Sequence, residues 1–481
     1  MKRVLLSTGV ALGVLLGIAL VRAATLSSRQ VSVAPVPRFV FDEAKAVQRL
    51  ATALTYSTVA DSAPDADNFI GLRGYLKTAW PTVDEKLQRE EVGESLLFTW
   101  SGSDRAAAPV VLMAHQDVVP VAPGKWTQEP FKGQISDGFV WGRGALDDKA
   151  SLCAILEAVS SLLAEGFAPR RTVYLALGDD EEVKGSGATA IVNLLASREV
   201  KPRWVLDEGS GITDGVVKGL SVKAALIAIG EKGFFTVELK VEGEGGHSSM
   251  PPKQTQAGIL AAAITRLEAN PFPASFDGPV GEFFDTLAPQ MPFGPKLVLS
   301  NRWLFGPLLK RQMLATPATA ATLRTTTAVT MLASGVKDNV LPATAWAAVN
   351  FRIRSSETRE SVLTRVREVV DDPRVTVTGR DATLSSDPSA VSPVDAAGYR
   401  LIERTIRGVF PGTIVAPNIS NGASDSRFFT RISAQVYRFV PVVLRPEDLP
   451  RIHGVDERVS VAAYADMVRF YRQLLIDAQP D

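Results

Sequence analysis

The sequence predicts an α/β fold in which a mostly parallel β-sheet, with helices on both faces, carries an inserted smaller α+β domain. Short uninterrupted apolar runs alternate with helical patterns such as Lys149–Glu165; the runs are Val110–Ala114, Thr172–Leu177 and Trp204–Leu206. Uninterrupted apolar strands between helices are typical of a parallel sheet that is buried on both faces. From Phe234 onward, apolar and polar residues alternate instead, as in strands with one face in water.

The alternating segments build the predicted insertion. Their order is strand, helix, strand, strand, helix, strand, which is typical of a small α+β sandwich; the segments are 234–241, 254–268, 325–332, 345–354, 357–370 and 374–378. A stretch rich in Phe, Pro, Leu and Met, Pro271–Leu323, interrupts this order, and the α/β pattern resumes after Asp387. We therefore predict a larger domain in two parts, 38–229 and 387–481, around an insertion at 230–386.

The first residues have the pattern of an export signal. Lys2 and Arg3 precede an uncharged apolar run, Val4–Val21, and the small residues Ala23 and Ala24 follow. This pattern is typical of a cleavable signal peptide, while the length of the run is at the lower limit for a membrane span. We predict that residues 1–37 are a signal peptide or a membrane anchor with a linker, and that the protein is exported, either membrane-anchored or secreted (periplasmic).

Composition excludes several classes of protein. The chain has 481 residues with 52 basic and 52 acidic side chains, so its formal net charge is zero. Because a nucleic-acid partner requires a basic excess, nucleic acid is not expected as the main ligand. Cys153 is the only cysteine, which excludes an internal disulfide and a cysteine-based zinc site. Imidazole chemistry must use His115, His247 or His453.

Acidic residues and histidines follow the ends of the predicted strands. In open α/β sheets, ligands bind beyond the carboxyl ends of the strands, so these side chains are expected to lie at the functional site. Successive acids repel each other unless a cation neutralises them. Nitrogen and oxygen ligands without sulfur suit zinc, with cobalt or manganese as alternatives, and two cations bridged by a carboxylate would use such a set. The four groups are His115-Gln116-Asp117, Asp147-Asp148, Asp179-Asp180-Glu181-Glu182 and Asp207-Glu208, and a second histidine, His453, is available downstream.

Seven segments between residues 113 and 459 carry a resemblance to a known family. They are MAHQDVVPV, WGRGALDDK, GDDEEVKGSGA, LDEGSGI, GGHSSMPP, SDSRFF and RIHGVDERV. The chain resembles the co-catalytic zinc aminoacylases and carboxypeptidases of metallopeptidase family 20, most of all the subgroup of carboxypeptidase S and the secreted N-fatty-acyl-amino-acid hydrolases. The resemblance implies a zinc-peptidase-like catalytic domain, an inserted lid or dimerisation domain, and two zinc ions per subunit.

The resemblance also implies a role for each residue of the cluster. Asp117 would orient His115, and Glu181 would be the general base. The second role also makes chemical sense by itself, because Glu181 neighbours a ligand and could take a proton from water. A cis peptide bond is expected between Asp147 and Asp148. The implied metal ligands are His115 and Asp207 for one ion, Glu182 and His453 for the other, and Asp147 as the bridge.

The insertion is expected to supply the other half of the site. The resemblance implies that His247 donates to the reacting carbonyl oxygen, where a donor stabilises the oxyanion. It would do so across a homodimer interface, or within one subunit if the small domain closes over the metals. Asn339 and Arg352 resemble residues that contact substrate, and Arg427 is a second candidate for binding a carboxylate with the arginine fork.

These expectations define one reaction and leave two substrate classes open. The predicted enzyme is a di-zinc hydrolase that cleaves the amide bond of N-acyl amino acids, or the C-terminal residue of peptides, with a zinc-bridging hydroxide. The substrate would carry a free carboxylate, and Pro271–Leu323 would line an acyl groove. The alternatives are an aminopeptidase or dipeptidase of the same fold, which would need an anionic pocket for a free amine, and a catalytically silent binding protein.

Overall fold

The computed structural model describes residues 2–61, 65–121, 123–380 and 385–479, with side chains from residue 13 onward. Within these ranges no helix is long and apolar enough to cross a bilayer. The first helix, Lys2–Thr25, contains the apolar run of the predicted export signal. The linker behind it lies on the larger domain, where Gln30 Nε2 donates to the carbonyl oxygen of Val415 at 2.7 Å. Export, and cleavage or retention of this segment, stay predictions.

The first part of the larger domain begins with helices and continues with alternating strands and helices. Its elements are α1 (Lys2–Thr25), α2 (Glu43–Ala53), α3 (Ala66–Ala79), α4 (Pro81–Lys86), β1 (Gln88–Val92), β2 (Ser95–Trp100), β3 (Val110–His115), β4 (Gln134–Ser136), β5 (Phe139–Trp141), α5 (Lys149–Ala164), β6 (Val173–Gly178), α6 (Ser186–Ser197), β7 (Trp204–Asp207), β8 (Ile212–Thr213) and β9 (Ala224–Glu231). The apolar runs identified in the sequence are therefore β3, β6 and β7.

The insertion follows β9, and the chain then returns to the larger domain. The elements of the insertion are β10 (Gly233–Glu242), β11 (Gly246–His247), α7 (Gln256–Ala269), α8 (Pro279–Leu287), α9 (Phe293–Ser300), α10 (Arg302–Met313), α11 (Pro317–Leu323), β12 (Thr326–Ser334), β13 (Val340–Leu341), β14 (Thr344–Ile353), α12 (Arg359–Val370) and β15 (Val375–Arg380). The remaining elements are α13 (Ala397–Val409), β16 (Ile414–Ser420), α14 (Ser426–Phe429), β17 (Val436–Arg438), β18 (Val443–Leu444), β19 (Arg458–Ser460) and α15 (Val461–Asp477).

The large sheet positions the site. Its strand order is β1-β2-β6-β3-β7-β17-β9-β8-β18, with β16 paired to β9. The central strands β6, β3, β7 and β17 run parallel, so their carboxyl ends meet at one edge. Antiparallel neighbours, such as β2 beside β6, make the sheet as a whole mixed. Helix α5 packs against α15 and is buried along most of its length, which explains why its sequence is mostly apolar.

The insertion has its own sheet and its own hydrophobic core. Strands β12, β14, β10 and β15 form a four-stranded antiparallel sheet whose apolar face packs on α7 and α12. Helix α12 begins with a capping box, in which Thr358 and Ser361 exchange hydrogen bonds between side chain and backbone. The α/β fold class with an inserted α+β unit is confirmed, whereas the exact domain boundaries stay predictions. The interrupting stretch 271–323 is helical (α8 to α11), and α8 lies against β16.

Candidate metal centre and active site

The end of β3 places His115 at the bottom of an acidic cluster. His115 is 1% exposed, and its Nε2 lies 3.2 Å from Asp147 Oδ1 and 3.6 Å from Glu208 Oε2. On its other side, Nδ1 lies 3.2 Å from Asp117 Oδ1 and 3.0 Å from the Asp117 carbonyl oxygen. Asp117 therefore holds the ring from behind and leaves Nε2 directed at the cluster, as a metal-binding histidine requires.

Asp147 lies between two histidines. Its Oδ1 faces His115, and its Oδ2 lies 3.0 Å from His453 Nε2. His453 also lies 3.2 Å from Glu182 Oε1. One carboxylate that faces an imidazole with each oxygen has the arrangement of a bridge between two cation sites. The predicted cis peptide bond between Asp147 and Asp148 is present.

Asp117 also fixes the acidic loop that follows β6. Its two carboxylate oxygens accept hydrogen bonds from the backbone N–H groups of Glu181, at 3.2 Å, and Glu182, at 3.0 Å. Asp117 is fully buried, so these hydrogen bonds are shielded from water. One residue thus positions both the histidine at the end of β3 and the two adjacent glutamates at the end of β6.

Glu457, which the sequence did not single out as a site residue, holds the loop that carries Asp147. Its buried carboxylate accepts hydrogen bonds from Arg143 Nη1 at 2.5 Å and from three backbone N–H groups. The three donors are Gly144 at 3.1 Å, Leu146 at 2.7 Å and Asp147 at 3.1 Å. The loop is thereby tied to the segment after His453, and the two halves of the larger domain meet at the site.

Two adjacent acids at the end of β7 have different surroundings. Asp207 Oδ2 accepts a hydrogen bond from the Ser426 N–H at 2.9 Å, and the side chain is 3% exposed. The neighbouring Glu208 is the residue whose carboxylate approaches His115. Asp207 is the last residue of β7 and Glu208 lies in the bend that follows; of the two, only the Glu208 carboxylate has a described contact with a histidine of the cluster. The sequence assigned this ligand to Asp207, and the pair Asp207-Glu208 was the only signal for Glu208.

The electrostatics of the cluster favour the binding of a cation. Burial, followed by the charge of Asp147, raises the pKa of Glu208 well above its usual value. Hydrogen bonds to Asp147 and then Glu182 raise the pKa of His453 to about 10. Both oxygens of the buried Asp148 lack a hydrogen-bond partner. A cation would satisfy these groups together, so the residues present fit a metal site.

Donor geometry leads to the same conclusion. In the part of the chain that the structure describes, two groups have ligand atoms within 4.8 Å of one another: His115 with Asp147 and Glu182, and His115 with Asp148 and Glu208. All these donors are nitrogen or oxygen. Cys153 is buried in helix α5, and this burial is the main reason why the pKa of its thiol is raised. The identity of the metal stays a prediction.

The structure places His247 and Asn339 together, on a surface of the insertion. Strands β11 and β13 pair, and the Ser248 N–H donates to the Asn339 carbonyl oxygen at 3.2 Å. His247 is exposed, and its Nδ1 accepts from the Ser249 N–H at 3.1 Å. Among the described contacts, none joins His247 to the acidic cluster. The two residues thus form a unit that is separate from the strand ends within one subunit.

The two predicted arginines have different positions. Arg352 is on β14 of the insertion, with its guanidinium 4.8 Å from the centre of the Phe234 ring. Arg427 follows Asp425 in the larger domain, stacks on Phe428 at 4.5 Å and donates to the Ser424 carbonyl oxygen at 3.2 Å. A third arginine, Arg438, is fully buried and donates to Glu231 at 2.6 Å.

A cavity of about 450 Å³ opens from the cluster. Its polar end contains Asp147, Glu181, Glu182, Glu208 and His453. Beyond them the wall is largely apolar and comes entirely from the larger domain; it includes Leu226, Ile419, Val440, Val442, Leu444, Leu449 and Ile452. No described residue of 271–323 lines this cavity, so the expectation that this stretch would line the groove is not met. Helix α8 lies against β16, whose residues Asn418, Ile419 and Ser420 line the cavity, but it contributes no lining residue of its own.

Comparison with known protein families identifies the family of this chain. Residues 111–477 match the sequence profile of peptidase family M20/M25/M40, and the chain belongs to that family. It is a metallohydrolase of amide and peptide bonds, as the sequence predicted. The silent binding protein is not favoured.

Individual relatives indicate the subgroup of the family. The chain is 43% identical over 444 residues to the N-fatty-acyl-amino acid synthase/hydrolase PM20D1 of Xenopus tropicalis, covering 90% of this chain and 86% of that protein. It is 32% identical over 489 residues to carboxypeptidase S of Saccharomyces cerevisiae, covering 90% and 84%. The predicted resemblance to this subgroup is confirmed.

Solved structures show the same fold. The M20 metallo-carboxypeptidase Sso-CP2 of Sulfolobus solfataricus superposes with a TM-score of 0.65 at 18% identity, covering 90% of this chain and 99% of that chain. A dinuclear metal-binding M20 peptidase of Bacillus subtilis gives a TM-score of 0.56 at 12% identity, covering 90% and 98%. At these identities the similarity supports the fold alone.

Proposed function

We propose that this enzyme hydrolyses N-acyl amino acids that carry a long apolar acyl chain, releasing a fatty acid and a free amino acid. The observation that carries the proposal is the cavity, because its polar end is the acidic cluster and the larger part of its remaining wall is apolar, with polar groups such as Asn418, Asn421 and Arg438 between the apolar side chains. An amide held at the cluster would have its acyl chain in the apolar part. The similarity to N-fatty-acyl-amino acid synthase/hydrolases supports the same substrate class.

We assign the metal ligands from the distances. His115 and Glu208 would hold one divalent cation, Glu182 and His453 would hold a second, and Asp147 would bridge them. Zinc suits the nitrogen and oxygen donors. When bound, two such cations polarise the scissile carbonyl and lower the pKa of a water molecule. Asp207 would act through its hydrogen bond to the Ser426 N–H, by holding the loop after β16.

The chain's own residues would then move the proton and bind the carbonyl. Glu181 lies in the cavity and its backbone is fixed by Asp117, so it would take a proton from the attacking water and pass it to the leaving nitrogen. His247 would donate to the carbonyl oxygen. Because His247 is exposed and apart from the cluster, we propose that a second subunit supplies it, with Asn339 beside it.

The experiment is a hydrolysis panel on the purified enzyme. It compares an N-palmitoyl amino acid, the N-acetyl form of the same amino acid and a short peptide, each before and after metal chelation. We expect chelation to abolish activity and the palmitoyl substrate to have the highest kcat/KM. Preference for the peptide would reject the acyl-amino-acid proposal and make the enzyme a carboxypeptidase.

A pair of variants locates the acyl chain. Leu449→Asp places a charge in the cavity wall, whereas Leu314→Asp places one on the interrupting stretch at a position of similar exposure, 41% against 37%. Loss of contact with about two methylene groups is worth roughly tenfold in kcat/KM. We therefore expect Leu449→Asp to lose about tenfold with the palmitoyl substrate and little with the acetyl substrate. If instead Leu314→Asp loses about tenfold with the palmitoyl substrate and Leu449→Asp does not, the acyl chain lies on the stretch 271–323.

A further inference from the structure

A second cavity, of about 320 Å³, lies at the opposite end of the large sheet. Its wall includes Arg171, which precedes β6, Arg203, which precedes β7, and Arg404 on α13. Strand β6 separates Arg171 from the acidic loop, and its six residues span about 20 Å at roughly 3.3 Å each. The cavity therefore belongs to the amino-terminal edge of the sheet and is not part of the metal centre.

One arginine of this cavity is buried with an unpaired donor. Arg171 is 6% exposed, and its Nη1 donates to the Ala108 carbonyl oxygen at 2.6 Å. Its Nε is buried without any hydrogen-bond partner. Burial, and after it the charge of Arg203, lowers the pKa of Arg171, which shows that the guanidinium groups repel each other here. A buried donor of this kind requires an acceptor.

Among the described residues that line this cavity, the positive charge exceeds the negative charge. Within the described residues, Arg203 and Arg404 make no ion pair and no side-chain hydrogen bond, so both guanidinium groups are available. The acid in the wall is Asp477, whose carboxylate accepts from Gln473 Nε2 at 2.8 Å and from Thr405 Oγ1 at 3.3 Å. The carboxyl end of helix α15 contributes about half a negative charge more. Among the described residues of the wall, three guanidinium groups thus face one carboxylate and the helix end, while Asp104, outside the wall, also attracts Arg171.

We propose that this cavity is a binding site for a phosphate group, carried by a small phosphate monoester or present as free phosphate. A dianion with several acceptor oxygens can engage Arg171, Arg203 and Arg404 together, whereas a single carboxylate is matched by one arginine fork. Apart from Gln479, the remaining wall is apolar, including Trp204, Ala397 and Leu401, and leaves room for the organic part of a monoester.

The test measures binding directly, on the metal-loaded full chain. Inorganic phosphate and glycerol 3-phosphate are titrated by calorimetry at constant ionic strength. The double variant Arg203→Gln with Arg404→Gln changes two exposed residues that do not support the core. The matched control is Arg400→Gln, one turn earlier on α13, where the side chain donates to the Asp395 carbonyl oxygen outside the cavity. A higher affinity for glycerol 3-phosphate than for phosphate would identify the monoester as the better ligand.

We expect saturable binding to the wild-type protein and to Arg400→Gln, with the dissociation constant raised at least tenfold in the double variant, because charge-assisted hydrogen bonds are lost. Equal binding in the double variant would place the anion elsewhere, including at the metals, and would overturn the proposal. Absence of saturable binding to the wild-type protein would overturn it as well.

Discussion

Glu457 offers the sharpest test of how the bridging carboxylate is held. The change is Glu457→Gln, which keeps the shape of the side chain and removes its charge. In the structure this carboxylate faces Arg143 and three backbone N–H groups, with the side chain fully buried. The oxygen of the glutamine amide can still accept a hydrogen bond. Its NH₂ group, however, replaces an acceptor with a donor and faces the donors on that side. Arg143 also loses its charged partner.

The size of the effect follows from burial. Removing one partner of a buried ion pair costs about 3–5 kcal/mol. For a chain of this size we expect Tm to fall by roughly 3–8 °C. Because the loop that carries Asp147 loses acceptors, bound metal should fall as well. The assays are calorimetry and elemental analysis of the same preparation.

The control is the adjacent residue. Asp456 is half-exposed and accepts hydrogen bonds from the Thr127 N–H at 2.6 Å and from Thr127 Oγ1 at 2.8 Å. Because these bonds are near the surface, Asp456→Asn should change stability by no more than about 1 kcal/mol. If the Glu457→Gln protein has the Tm and the metal content of the wild type, the charge of Glu457 is not needed to hold the loop, and the reasoning is refuted.

Three further predictions concern the site. Glu208→Gln should lower metal content to about one ion per chain, while Asp207→Asn keeps both, as measured by elemental analysis; the opposite result would restore Asp207 as the ligand. Glu181→Gln should keep both metals and lose several orders of magnitude in kcat, because the proton acceptor is gone; near-normal turnover would remove Glu181 from the mechanism. His247→Ala should keep its metals and lose about 10²–10³ in kcat. Mixing it with Glu181→Gln should restore part of the activity if subunits exchange and a dimer supplies the histidine, and no recovery would show that each subunit uses its own His247.

The sequence alone determined the fold class and indicated which segments meet in the cluster. Apolar runs such as Val110–Ala114 indicate strands whose sheet is covered on both faces, because strands with one face in water alternate apolar and polar residues. The acids and histidines directly after those runs had to meet, since parallel strands end at one edge. His115 and Glu182 are brought together as this argument requires, whereas Asp147 and His453 reach the cluster on loops outside the large sheet, between β5 and α5 and before β19. Composition by itself also excluded a metal site built from cysteines, because the chain has only one.

Other features depend on how distant segments pack, and only the tertiary structure decided them. Asp207 and Glu208 are adjacent acids, and the direction of each side chain at the end of β7 determines which of them faces His115. Glu457 is more than three hundred positions from the loop it holds, so no local pattern reveals their contact. The apolar cavity wall comes from separate strands and loops of the larger domain and not from the apolar stretch 271–323. A side chain's identity can be read from the sequence, but its neighbours and the direction in which it points exist only once the chain has folded.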